Sequence, residues 1–167
     1  MTAGETAATG LSAHVREEID RWKARFPAGR QRSAVIAALH AAQHDNHGYL
    51  TRELMEAVAR YLELPAIQVF EVAAFYSMFE TRPVGRHSVS VCTNISCMLR
   101  GGDDILRHVE GKLGIKAGES TADGRIFLKQ EWECLAACTG APMMMVDHKY
   151  YEDLTPERVD QILGELE

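Results

Sequence analysis

The chain has no stretch of about 18 uninterrupted apolar residues, the length that a membrane-spanning helix needs. Its most apolar pieces, residues 67–79 and 142–146, are short or broken by polar side chains. Residues 1–15 carry Glu5 and no Lys or Arg, so neither a secretory signal nor an Arg-rich transit peptide is expected. Excess positive charge is missing as well. Eighteen Lys and Arg against 24 Asp and Glu leave a net charge of −6, which repels phosphate backbones and leaves no electrostatic footprint for nucleic acid. No internal repeat or low-complexity tract occurs. Cysteine is absent from the first half, and all four cysteines follow residue 91. What remains is an ordinary globular composition, 46% hydrophobic and 25% charged over 167 residues, enough for one domain or two small ones.

Periodicity favours two. Residues 1–10 are small and polar, and residues 1–11 are expected to be flexible. Ser12 can cap a helix with Val15, Ile19 and Trp22 on one face, and Pro27 follows its end. A second helix is expected over 31–46, with Val35, Ile36, Leu39 and Ala42 at helical spacing and Gly48 as its stop. Thr51 caps a third, with Leu54, Val58, Tyr61 and Leu62 inward. Pro65 opens a fourth through Phe70, Ala73, Ala74 and Phe79. A helical bundle over 12–82 results, and residues 81–85 read as a linker. Residues 83–167 then change period. A strand over 87–92 is followed by a helix from Asp103 or Asp104 to Gly114 and a strand over 125–132. A hairpin turns at Asp147-His148-Lys149, and a last helix over 156–166 is capped by Thr155. The acidic excess lies here: residues 86–167 hold nine basic and fourteen acidic residues, against nine and ten in 1–85. The expected class is α+β or α/β, a helical bundle followed by a small sheet with helices packed on it.

Four residues separate Cys92 from Cys97 and three separate Cys134 from Cys138, with 36 between the pairs. Each pair follows an expected strand, where backbone N–H groups are free. Two disulfides are one reading, disfavoured where no export signal is seen. Structural zinc is a second, although paired C-x₂-C knuckles are its usual form. A third is a [2Fe–2S] cluster on four thiolates, wider than one ion and suited to longer loops. Unrelated free thiols are a fourth. Thr93, Asn94, Ser96 and Thr139-Gly140-Ala141 are small or polar and can offer N–H donors to such a centre. A domain of some 80 residues buries only about 60% of its unfolded surface and gains from a metal staple.

The segments Val91-Cys92-Thr93-Asn94-Ile95-Ser96-Cys97-Met98-Leu99-Arg100-Gly101 and Glu133-Cys134-Leu135-Ala136-Ala137-Cys138-Thr139-Gly140-Ala141-Pro142-Met143-Met144 closely resemble the cluster loops of a family. It is that of the thioredoxin-like [2Fe–2S] subunit of respiratory complex I, the NADH-quinone oxidoreductase. Residues 69–79 and Gly48-Tyr49-Leu50 of the bundle half resemble it too, so the likeness spans roughly residues 12–167. The resemblance implies a thioredoxin-like [2Fe–2S] ferredoxin domain after the bundle. It implies Cys92, Cys97, Cys134 and Cys138 as iron ligands of one cluster. It also implies a lasting partnership with a flavin subunit that holds FMN and oxidises NADH, and then with the other peripheral-arm subunits. By that likeness the chain exchanges single electrons, binds neither NADH nor FMN alone, and is not catalytic alone. Its place is then on the cytoplasmic side of a bacterial inner membrane, with no segment inserted. Related subunits serve NAD-reducing hydrogenases and NAD-dependent formate dehydrogenases, so the holoenzyme stays open between these.

Other features have plainer readings. His40, His44 and His47 fall at i, i+4 and i+7 and could bind a metal, but a solvated helix end accounts for them better. Residues 40–79 could pass for a helix-turn-helix of a cluster-sensing regulator, yet 65–79 holds no Lys or Arg. Met143-Met144-Met145 reads as buried strand rather than a copper site. Pro142 is open between cis and trans. Phe75, Tyr76, Met78 and Phe79 are either bundle core, the default, or a docking stripe. Arg82, Arg86 and Arg100 either face an acidic partner or are solvated.

Overall fold

The computed structural model describes residues 10–166 and divides the chain into two compact units, with the boundary between Pro83 and Val84. Residues 1–9, most of the N-terminus expected to be flexible, lie outside the described residues. Leu11, part of that same stretch, is instead buried in the core of the first unit.

The first unit is built from four helices. Helix α1 (Ala13–Lys23) starts where the Ser12 hydroxyl accepts the Val15 N–H, and it buries Val15 and Ile19. Residues 31–34 form a tight 3₁₀ turn before α2 (Val35–Asp45). The buried stripe of α2 is Val35, Ala38, Leu39 and Ala42. Ile36, expected inward, sits about 100° round the helix from Val35 and is exposed. Helix α3 (Arg52–Tyr61) is capped by Thr51, whose hydroxyl accepts the Leu54 N–H at 3.2 Å. Helix α4 (Ala66–Phe75) begins after Pro65 and ends four residues earlier than its periodicity predicts. Gln43 explains the stop. Its amide donates to the Met78 carbonyl at 3.1 Å and accepts the Glu80 N–H at 2.8 Å, so an α2 side chain binds backbone groups of the turn after α4. Phe79 still reaches the core, through a turn closed by its N–H on the Tyr76 carbonyl. Phe75 does not: it is 79% exposed, and the core reading of the 75–79 stripe holds for Phe79 and for the half-buried Tyr76, which packs on the same core, but not for Phe75 or Met78.

The second unit is a four-stranded sheet in the order β2-β1-β3-β4. Strand β1 (His87–Cys92) pairs in parallel with β2 (Ile126–Glu131) and antiparallel with β3 (Met144–Val146), which pairs antiparallel with β4 (Lys149–Tyr151). A parallel pair needs a crossover, supplied by two helices, α5 (Ile95–Leu99) and α6 (Gly102–Leu113). The sequence periods suggest the second but not the first, because five residues are too few to show a helical repeat. Because β1 is central, Ser90 is buried along with Val89 and Val91. The β3–β4 turn takes only Asp147 and His148, both left-handed, as a two-residue hairpin requires. The last helix, α7 (Pro156–Gly164), has Thr155 as cap and proline in its first turn, and stops short of Leu166. One core joins Val89, Val91, Ile126, Leu128 and Met144 of the sheet to Val109 of α6 and Val159 and Leu163 of α7. Both cysteine loops therefore leave strand ends of one packed sheet.

Candidate metal centre

Strand β1 delivers Cys92 at its last residue, buried, and α5 carries Cys97, also buried. The second pair lies on the loop after β2, where Cys134 is exposed and Cys138 opens a short 3₁₀ turn, Cys138–Gly140. All four are free thiols. Cys92 and Cys97 pack with Ala141 and Met143, and the Cys92 N–H donates to the Met143 carbonyl at 3.2 Å. The Ala141–Pro142 bond is cis, and both Met143 and Met144 are buried, as expected of that strand.

The two pairs come within reach of each other. Cys134 and Cys138 lie 3.1 Å apart, sulfur to sulfur. Cys134 also hydrogen-bonds Cys92, while Cys97 hydrogen-bonds Cys92 and feels the charge of Cys138. Burial, followed by the hydrogen bond with Cys92, pushes the Cys97 thiol up to about 11. The hydrogen bond from Cys138 draws the Cys134 thiol down, helped by the Ala136 N–H at 3.2 Å. That same bond, with burial, holds the Cys138 thiol up, against a hydrogen bond from Ser96.

Of the residues expected to offer donors to sulfur, Ser96 does so, through its hydroxyl rather than its N–H. The N–H groups of Gly140 and Ala141 close the 3₁₀ turn on Ala137 and Cys138 carbonyls and do not serve sulfur. Ala136 does, from a left-handed conformation (φ 63°) that nothing in an alanine announces. Asn94 acts through its side chain: Oδ1 accepts the Ile95 N–H at 2.9 Å and Nδ2 donates to the Trp132 carbonyl at 2.7 Å. Gly102 lies so close that a Cβ there would meet the Cys92 carbonyl oxygen at 2.8 Å and the Cys97 carbonyl at 2.9 Å. The consecutive glycines at 101 and 102 are the sequence signal for so close an approach.

No three His, Cys, Asp or Glu side chains among the described residues are placed to hold a single ion. Two thiol pairs side by side, one buried and one exposed, suit a centre of two metal atoms rather than one. Four soft anionic donors with N–H and O–H groups on sulfur fit a [2Fe–2S] cluster.

The remaining candidates fall elsewhere. His40 and His44 line a cavity of about 590 Å³ in the first unit. His40 contacts the Met78 sulfur through Nε2 at 2.9 Å and packs its ring on Phe79, and His47 leaves the helix with φ 54°. The histidines therefore serve tertiary packing and a helix end. Arg82, Arg86 and Arg100 are exposed. The thiol loops also expose large apolar side chains: Ile95, Met98 and Leu99 on α5, and Trp132 just before Cys134.

A profile of the thioredoxin-like [2Fe–2S] ferredoxin family matches residues 19–167. An NADH-quinone oxidoreductase subunit of Rickettsia bellii is 44% identical over 142 residues, 85% of this chain and 84% of that protein. An NADH-quinone oxidoreductase subunit of Rhizobium meliloti is 43% identical over 149 residues, 89% and 86% of the two chains. Among solved structures, an NAD⁺-reducing [NiFe]-hydrogenase in the air-oxidised state superposes with a TM-score of 0.67 at 23% identity. That likeness covers 83% of this chain but only 24% of the hydrogenase chain, and it speaks to the fold alone.

Proposed function

The chain belongs to the thioredoxin-like [2Fe–2S] ferredoxin family, and from that premise we propose that it is the electron-transfer subunit of an NADH-quinone oxidoreductase, holding one [2Fe–2S] cluster on Cys92, Cys97, Cys134 and Cys138. The observation that carries the ligand set is the meeting of four free thiols from two loops 36 residues apart. Bound there, the cluster supplies one-electron exchange, which no side chain of this protein offers. The protein's residues do the rest. Cys92 and Cys97 present sulfur from a dry wall of Ala141 and Met143, which limits solvation of the negative centre. Cys134 and Cys138 present sulfur at the surface, where a partner can approach within electron-transfer range. Ala136 N–H and the Ser96 hydroxyl stabilise thiolate charge, and such donors raise the potential of a thiolate-bound centre.

The partner we infer is the flavin subunit that oxidises NADH, with the other peripheral subunits beyond it. Ile95, Met98, Leu99 and Trp132, exposed on the thiol loops, support a protein rather than solvent over this face. None of the described helices is long and apolar enough to cross a membrane; the place we infer is peripheral in the complex, on its cytoplasmic side.

Anaerobic purification tests the reading. The protein should be reddish-brown with about two iron and two acid-labile sulfide per chain. Replacing any one of the four cysteines by serine should weaken or abolish the paramagnetic signal of the reduced state. A colourless protein with stoichiometric zinc, or four silent substitutions, would overturn it.

A further inference from the structure

The two loops that carry the thiols are joined by something other than the thiols themselves. Asn94 stands two residues after Cys92 and three before Cys97, and the Trp132 carbonyl to which it donates stands two residues before Cys134. The same amide accepts the Ile95 N–H and so caps α5, the helix that bears Cys97. Around it, the Thr93 N–H donates to the Glu131 carbonyl at 3.0 Å and the Gln130 amide to the Thr93 hydroxyl at 3.1 Å. These three contacts continue the β1–β2 register, which ends at Cys92 opposite Glu131, past the last strand residue and into the loops. Only a side chain with an acceptor and a donor on one short stem can make both Asn94 bonds at once. Aspartate keeps the cap but offers a second acceptor to a carbonyl, and serine keeps the cap but cannot reach across.

We propose that Asn94 is a positioning residue for electron transfer: by clasping the Trp132 carbonyl it fixes the first cysteine pair against the second, and so sets the geometry and retention of the iron centre. This inference rests on the ligand set proposed above. The clasp is a neutral hydrogen bond of modest net worth, so its loss should be read as several-fold changes rather than collapse.

The test uses the full chain loaded with iron and sulfide, as wild type and as Asn94→Ser, Asn94→Asp and Asn94→Ala. All three variants keep the four thiols and should load about two irons. Asn94→Ser retains the cap, so any defect it shows belongs to the lost clasp. We expect it to release iron to a chelator about three- to tenfold faster than wild type, with shifted g-values in the reduced state. Asn94→Asp should be at least as impaired as Asn94→Ser and have a lower midpoint potential. Asn94→Ser and Asn94→Asp indistinguishable from wild type in release rate and g-values, with Asn94→Ala impaired, would reduce Asn94 to a helix cap and overturn the proposal. Three variants all identical to wild type would overturn it too. Failure of the ligand set looks different, because there the wild-type chain takes up no iron, or all four cysteine-to-serine variants keep the signal of the wild type.

Discussion

At Gly102 the backbone of α6 passes against the first cysteine loop with no room for a side chain. A methyl group there would meet the carbonyl oxygen of Cys92 at 2.8 Å and both carbonyl atoms of Cys97 at 2.9 Å, all of them main-chain atoms that cannot swing away. Gly102→Ala must therefore push the loop or tilt the helix, at a cost of roughly 1–3 kcal/mol. The displaced atoms belong to two of the four thiol-bearing residues, so iron retention should fall along with Tm. Gly111 is the matched control nine residues along the same helix, with nothing within 4 Å of its missing Cβ. Gly111→Ala should leave the iron untouched and raise stability by up to about 1 kcal/mol, because alanine costs less to order in a helix. Thermal melts and iron assays on the two variants check both signs. Equal Tm for the pair would show that the loop yields more easily than its packing suggests.

Among the elements, the helix starts are where local chemistry is most visible. Ser12, Thr51 and Thr155 each accept an N–H three residues on, and each can be named from the sequence because a cap needs only its own side chain. Thr51→Ala should cost about 1 kcal/mol in denaturant unfolding. Helix ends and faces are less legible where a distant residue decides them. Nothing near Phe75 announces that Gln43 will take the backbone groups after α4, so the helical repeat carries the expectation four residues too far. Ile36 reads as inward because it stands three residues before Leu39, yet it lies on the flank of the buried stripe. The four thiols are legible as a candidate ligand set, but the bracing of their loops is not, since the Asn94 clasp depends on β2 ending beside β1, a contact between residues 38 apart. A similar long-range contact ties α6 to α7. Hydrogen bonds from the His108 ring and then the Lys112 ammonium hold the Asp160 carboxyl below its ordinary value of 3.8. A carboxyl with a depressed value stabilises the fold above its unfolded value and loses that contribution as pH falls through the folded one. Asp160→Asn should thus lower Tm modestly at neutral pH, the pair being solvent-exposed. The difference from wild type should shrink as pH drops below 3.8. A gap that persists into that range would point to packing rather than charge.

For the molecule as a whole, the most exposed large apolar side chains of the second unit lie on the loops that carry the four thiols. Leu99 is 75% exposed, Trp132 71% and Ile95 67%, although the unit that carries them has a well-filled core of its own. Large side chains left in water beside a redox centre are costly unless something covers them, and an aromatic anchor among aliphatic neighbours is the composition of an interface hot spot. The excess of acidic residues in 86–167 favours a basic partner surface and would speed encounter at low salt. Trp132→Ala separates docking from cluster binding, because the substitution removes the ring and leaves in place the carbonyl that Asn94 holds. The variant should load iron and melt as wild type does. Its affinity for the flavin subunit should fall roughly 10- to 100-fold, the loss expected of a buried tryptophan anchor. Leu99→Ala should follow with a smaller loss. Binding measured by calorimetry on the iron-loaded chain and the isolated flavin subunit decides it. Unchanged affinity in both variants would move the interface off these loops and leave the exposed thiols facing something else.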